Sequence, residues 1–144
     1  MRKTGPTEAT AERPWGVTGL AIFFGLGAGV SFTACVSLLT PGGPLEPIWH
    51  LNPRAHEALE RMGPAGPTLM SLVSVACGFS AAGLWSGALW GYRSAVTLLV
   101  VNLLGDIANV VLGLERRALV GVPIVAGLLV FLATKRIRSY FGAR

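Results

Sequence analysis

Three polar side chains interrupt one long apolar segment in the second half of the chain: Asn102, Asp106 and Asn109. Their positions four and three residues apart would place them on one face of a helix. A carboxylate at the centre of a bilayer costs at least ~2.5–3.5 kcal/mol on insertion scales. Asp106 should therefore point into the protein and either accept hydrogen bonds or hold a proton. Such a residue is typical of a polar contact between helices or of the proton or cation site of a transporter.

The depth of Asp106 predicts its neighbours. At 1.5 Å of rise per residue, its position about 12 residues into a span puts it ~18 Å deep, near the middle of a bilayer. Hydroxyl side chains of the other apolar segments reach this level, whereas no Lys, Arg or His does. We therefore expect an intramembrane polar site around Asp106, Asn102 and Asn109. The serines expected at this site are Ser31, Ser71 and Ser74.

A second group of chemically versatile side chains lies in a polar connection: Trp49, His50, His56 and Glu60. His56 and Glu60 are one helical turn apart, a spacing that suits a metal ion. Solvated polar side chains are the simpler interpretation, and we assign no metal site. Trp49 is a candidate anchor for a partner protein or for the lipid interface. The connection is thus a candidate partner-contact loop that includes Trp49, His50 and His56.

The sequence offers no set of residues for catalysis. Cys35 and Cys77 would lie ~8 Å and ~16 Å from the same boundary of the membrane, too far apart in depth for a disulfide. No second carboxyl group accompanies Asp106 within the apolar segments, as an intramembrane aspartyl protease would require. There is no histidine in these segments to bind haem, and no glycine-rich nucleotide motif. We expect no enzyme activity, no catalytic residue and no cofactor.

The composition of the whole chain is that of a membrane protein. Of 144 residues, 52% are apolar and 13% are charged, about half of the ~25% charged residues usual in soluble domains. These values exclude a soluble domain, a disordered chain and a coiled coil. The formal net charge is +5, but the basic residues lie beside apolar runs, as topology signals do. The expected partner is therefore the lipid bilayer and not a nucleic acid.

The apolar runs predict an all-α fold, a four-helix transmembrane bundle, because a span requires ~20 apolar residues. Two polar tails, residues 1–15 and 135–144, flank the membrane domain at 16–134. A short outer loop and two tight turns at 91–93 and 115–117 leave no room for a soluble domain. The predicted spans are residues 16–40, 66–90, 94–114 and 118–134, and the outer loop is 41–65.

The outer loop should contain a short amphipathic helix. Asn52 followed by Pro53 is typical of a helix start, and Gly63 is typical of a helix end. The predicted helix covers residues 53–62, with an i,i+4 pair between Glu57 and Arg61. The apolar face would comprise Leu51, Ala55, Leu59 and Met62.

Basic residues are unevenly distributed over the two ends of the bundle. The end with both tails and the turn at 91–93 carries eight Lys and Arg, against four at the other end. Because basic residues favour the cytoplasmic side, both termini are predicted to be cytoplasmic.

Small residues recur at helical spacing. Gly25 and Gly29 form a small-xxx-small pair in the first span, and the second span carries a stripe of Ser71, Ser74, Gly78 and Ala81. Such residues allow close helix approach in lipid. We interpret them as packing within the chain, with homodimer contact as the alternative.

Four segments carry a resemblance: RPWGVT at 13–18, LEPIWHLNP at 45–53, NLLGDIAN at 102–109 and GVPI at 121–124. The chain resembles a group of small, uncharacterised bacterial four-span integral membrane proteins. The resemblance implies four spans and a bacterial inner membrane location. It implies no activity, ligand or catalytic residue.

The first hypothesis is a non-catalytic membrane protein, an accessory or structural subunit or a scaffold. An alternative is a small homo-oligomeric transporter that couples to protons or cations through Asp106. A third is an enzyme or metal sensor that uses His50 and His56 in the outer loop.

Overall fold

The computed structural model describes residues 13–111 and 118–142, and every element within them is helical, which confirms the all-α prediction. The short turn predicted at 115–117 lies outside the described residues. The elements are α1 (Trp15–Leu39), a 3-10 helix (Glu46–Leu51), α2 (Pro53–Arg61), α3 (Ala65–Trp85), α4 (Leu89–Val111), α5 (Ala118–Ala133) and α6 (Lys135–Gly142).

Three helices are long and apolar enough to cross a bilayer: α1 with 25 residues, α3 with 21 and α4 with 23. Residues Val120–Ala133 and Lys135–Gly142 qualify together as a fourth span, bent by 56° between its two parts. The protein is therefore a multi-span membrane protein by helix length and hydropathy, with three to four candidate spans.

The helices pack in chain order as a bundle. The most extensive contact between helices is that of α1 with α3, while α4 packs against both α3 and α5. The start of α1 and the end of α3 meet, because the Arg13 guanidinium donates a hydrogen bond to the Trp85 carbonyl. The start of α4 meets the end of α5, because the Tyr92 hydroxyl donates to the Leu132 carbonyl over 3.1 Å.

These contacts bring five basic residues of the described chain to one end of the bundle, which we call the basic end. They are Arg13, Arg93, Lys135, Arg136 and Arg138. The main buried cluster also lies toward this end. Its largest members are Leu20, Phe24, Leu84, Leu99, Leu132, Ile137, Tyr140 and Phe141.

The connection between the second and third spans differs from the prediction. The turn lies at residues 86–88, not 91–93, so α3 ends five residues earlier than the predicted limit of 90 and α4 begins at Leu89. Gly87 has φ +69°, a left-handed conformation that glycine adopts without steric cost. The Ala88 amide donates to the Gly83 carbonyl over 2.9 Å, and the Gly87 amide to Leu84 over 3.1 Å. This is the hydrogen-bond pattern of a Schellman motif, which stops α3 there.

The segment predicted as a basic tail, residues 135–144, is a helix over most of its length. In α6, Ile137, Tyr140 and Phe141 are buried, and the Phe141 ring lies 5.2 Å from that of Tyr92. The sequence analysis assigned no helix to this segment; one forms because the apolar residues at i, i+3 and i+4 give the segment one face that packs on the bundle.

The helix predicted in the outer loop is present as α2. The Asn52 carboxamide oxygen accepts a hydrogen bond from the Ala55 amide over 3.3 Å, and Arg61 pairs with Glu57 over 3.4 Å. Leu59 is buried, as the apolar face requires. Leu51 was wrongly included in that face, because it belongs to the 3-10 helix and is 85% exposed.

Candidate functional site

Asp106 lies at the contact between α4 and α5. A Cβ atom placed on Gly121 of α5 would be 2.6 Å from Asp106 Oδ2, so the missing side chain of that glycine gives the carboxyl group its room. Asn102, one turn earlier in α4, donates a long hydrogen bond of 3.4 Å from Nδ2 to the same oxygen. Asp106 is half-buried and Asn102 is exposed. Asn109 is half-buried on the next turn of the same helix.

The serines expected around Asp106 are elsewhere. Ser74 Oγ donates to the Ala28 carbonyl of α1 over 2.9 Å, and Ser71 is exposed. Depth matching placed these residues beside Asp106, but α3 packs mainly on α1 whereas Asp106 faces α5.

Ser31 takes part in a different feature, a cavity of about 290 Å³ between α1, α3, α4 and α5. Asn102 also lines this cavity, together with the thiol-bearing Cys77. The remaining walls are mostly apolar. Ser31 and Asn102 thus line the same cavity, whereas Asp106 does not.

Several polar groups of the spans are used to join helices. Besides the Ser74 contact, the Cys35 thiol donates to the Pro67 carbonyl over 3.3 Å, and both cysteines of the chain are free. Ser80 is fully buried and its hydroxyl lies 2.9 Å from that of Ser94. This last pair, between α3 and α4, was missed by the sequence analysis because the turn had been placed at 91–93.

Glycines divide into two groups. Gly78 of the predicted α3 stripe faces α1, where a Cβ atom would lie 3.8 Å from that of Ala28. This agrees with packing within the chain. At Gly25 and Gly29 of α1, by contrast, a Cβ atom would meet nothing within 4 Å among the described residues. These two glycines therefore do not pack within the described part of the chain, contrary to the interpretation favoured from the sequence.

Gly25 and Gly29 line an apolar groove of about 660 Å³ along α1. The 3-10 helix and α2 lie over the end of the groove opposite the basic end, through residues such as Ile48 and Ala55, and Met70 of α3 forms part of its wall. The face of α1 that borders the groove also includes Leu26 and Val30, which are 66% and 69% exposed. Within residues 13–111 and 118–142, this apolar surface of a candidate span is left open at Gly25, Leu26, Gly29 and Val30.

The outer loop is held to α1 by Trp49. The indole Nε1 of Trp49 donates to Ser37 Oγ over 2.9 Å, and its ring stacks on that of His56 at 4.6 Å with an interplanar angle of 11°. His56 Nε2 is also 3.3 Å from Glu60 Oε1. Trp49 and His56 are half-buried, whereas His50 is exposed.

The three proposed partner-contact residues of this loop border one open cleft of about 430 Å³. Trp49, His50 and His56 come together there with Glu46. Within residues 13–111 and 118–142, no group of three or more His, Cys, Asp or Glu side chains is arranged to hold a metal ion.

The combination of fold and sites defines a helical protein with three to four candidate membrane spans. No family model, no curated protein and no solved structure matches this chain. The resemblance noted from the sequence therefore identifies no family.

Proposed function

We propose that this protein is a non-catalytic accessory or structural subunit of a membrane complex in a bacterial inner membrane. The observation that carries the proposal is the open face of α1, where Gly25 and Gly29 border an apolar groove. In lipid, helices associate through small residues that let their backbones approach. A transmembrane helix of a partner protein would fill this groove and cover Leu26 and Val30.

Site-specific photo-crosslinking in native membranes tests this proposal. A photoreactive residue at Leu26 should give one crosslinked product of defined mass, and the same residue at Val130 of α5 should not. Both side chains are similarly exposed, at 66% and 69%, so the comparison controls for accessibility. Substitution Gly29→Leu should abolish the Leu26 product, whereas Gly127→Leu, at another open glycine, should leave it unchanged.

The outcomes distinguish the occupants of the groove. A product with the mass of two copies would assign the face to a homo-oligomer. Crosslinks to lipid alone at both positions, with no dependence on Gly29, would contradict the subunit proposal.

We also propose that the basic end is cytoplasmic, with both termini on that side. Support comes from five basic residues at this end against Arg54 and Arg61 at the other, within the described residues. Reporter fusions that fluoresce only in the cytoplasm should be active at the C-terminus. An active fusion inserted at Gly63, between α2 and α3, would contradict this topology.

A transporter is the second candidate function, favoured by the polar pair of Asp106 and Asn102 beside a cavity at membrane depth. A carboxyl group that gains and loses a proton within a bundle can couple flux to a proton gradient. In proteoliposomes, Asp106→Asn should then abolish proton-coupled flux while Ser71→Ala, on the exposed face of α3, retains it. Full flux in the Asp106→Asn variant would exclude this mechanism.

A further inference from the structure

The basic end carries a concentrated positive charge. Lys135, Arg136 and Arg138 of α6 are exposed, as is Arg93 near the start of α4. No carboxylate lies at this end within residues 13–111 and 118–142. Residues 1–12 contain two glutamates and two basic residues, so the formal charges of their side chains cancel. The opposite end differs, since it combines Arg54 and Arg61 with Glu46, Glu57 and Glu60.

The fold fixes the position of these cations. The apolar face of α6 is used by the protein itself, because Ile137 and Phe141 are each 1% exposed. The Phe141 ring packs on Tyr92, and the Tyr92 hydroxyl donates a hydrogen bond to the Leu132 carbonyl at the end of α5. The apolar face of α6 is therefore held against the end of the bundle, and the basic face is turned away from it.

Tryptophans place this end at the level of the lipid headgroups. Trp15 is 92% exposed, Trp85 55% and Trp90 44%, and each lies in the first or last turn of a candidate span. Exposed tryptophans at span ends are characteristic of the membrane–water interface. Arg13 lies against this belt, with its guanidinium carbon 5.0 Å from the centre of the Trp85 ring.

We propose that the basic end binds the phosphate groups of anionic phospholipids in the adjacent leaflet, through Arg93, Lys135, Arg136 and Arg138. The depth of these cations favours a lipid over a soluble polyanion, since the tryptophan belt places them within the headgroup layer. Their positive charge is complementary to the negative charge of the headgroups. Each Lys or Arg near an anionic surface strengthens binding to that surface by about fivefold. This proposal is independent of what fills the groove on α1.

Tryptophan quenching by brominated phospholipids tests this proposal on the whole protein. The Trp49→Phe background leaves only the tryptophans of the basic end, because the chain has four in total. In bilayers, brominated phosphatidylglycerol and brominated phosphatidylcholine compete for contact with these rings. We expect the relative association constant to favour the anionic lipid by well over fivefold, because four cations each contribute about that factor, and by less at high salt because exposed charges are screened.

The decisive variant replaces Lys135, Arg136 and Arg138 with glutamine. All three are exposed, so the fold should persist, and thermal unfolding followed by circular dichroism checks this. The lipid preference should fall to about fivefold, the contribution that remains from Arg93. The matched control, Arg54→Gln with Arg61→Gln at the opposite end, should leave it unchanged.

Two results would overturn the proposal. One is an unchanged lipid preference in the folded triple variant. The other is a preference that falls equally in the Arg54 and Arg61 control, because general charge and not the basic end would then be responsible. If the triple variant lost binding of an added soluble polyanion while its lipid preference persisted, the surface would serve a soluble partner and the lipid proposal would fail.

Discussion

The contact between Gly83 and Gly91 gives a sharp test of how α3 and α4 pack. The two backbones touch, since a Cβ atom on Gly91 would lie 2.2 Å from the carbonyl carbon of Gly83 and 2.4 Å from its Cα. Ordinary contact begins near 3.4 Å. The obstacle is backbone and not the end of a flexible side chain, so Gly91→Ala must push the two helices apart by about 1.2 Å.

The cost of this displacement can be bounded. Overpacking of a well-packed site typically costs ~1–3 kcal/mol of unfolding free energy. Replacement of glycine by alanine within a helix stabilises the helix by up to ~1 kcal/mol. The contacts at risk are well buried, because Leu84 and Ala95 on either side are fully inaccessible. We expect a net loss of about 1–2 kcal/mol in the free energy of unfolding.

The assay is reversible unfolding in mixed micelles by titration with a denaturing detergent, followed by helical circular dichroism. Gly105→Ala is the matched control, because it lies in the same helix and its Cβ atom would meet nothing within 4 Å among the described residues. The control should be neutral or more stable than the wild type by up to ~1 kcal/mol. If Gly91→Ala and Gly105→Ala unfold at the same detergent fraction, the close approach of α3 and α4 is refuted.

Three further substitutions test the turn, the buried serine pair and the outer loop. Gly87→Ala forces a non-glycine residue into φ +69° and should cost ~1–2 kcal/mol of unfolding free energy; wild-type stability would argue against the Schellman turn. Ser80→Ala removes the 2.9 Å contact with Ser94 and should cost ~0.6 kcal/mol, the typical value in membranes; the double variant with Ser94→Ala should show coupling, and strict additivity would speak against the pair. Trp49→Phe keeps an aromatic ring but loses the N–H donated to Ser37. It should speed proteolysis of the loop without changing bundle stability, and an unchanged cleavage rate would count against the anchoring role.

Much of the fold follows from local sequence. The apolar runs and the Asn52–Pro53 start signal predicted the three longest helices and α2, because span length and helix capping depend on neighbouring residues. The boundary between α3 and α4 was misplaced by five residues. Gly87 and Gly91 both suit a turn, and only the packing of Gly91 on Gly83 shows that Gly87 is the turn residue.

The candidate site was predictable within α4 and not across the bundle. Asn102 donates a hydrogen bond to Asp106, as expected for residues four positions apart on one helix. Ser74, however, bonds to Ala28 of α1. Depth along a span can be counted only once its ends are known, and the side of the bundle that a residue faces depends on which helices are neighbours.

The sequence by itself determined that this is a multi-span helical membrane protein with an uneven distribution of basic residues, because hydrophobic length and charge are properties of continuous segments. Only the tertiary structure decided which glycines are enclosed and which remain open on α1. It also decided that α6 folds against the bundle, and that Asp106 lies over Gly121. These features depend on contacts between residues far apart in the chain, and such contacts arise only when the helices have packed.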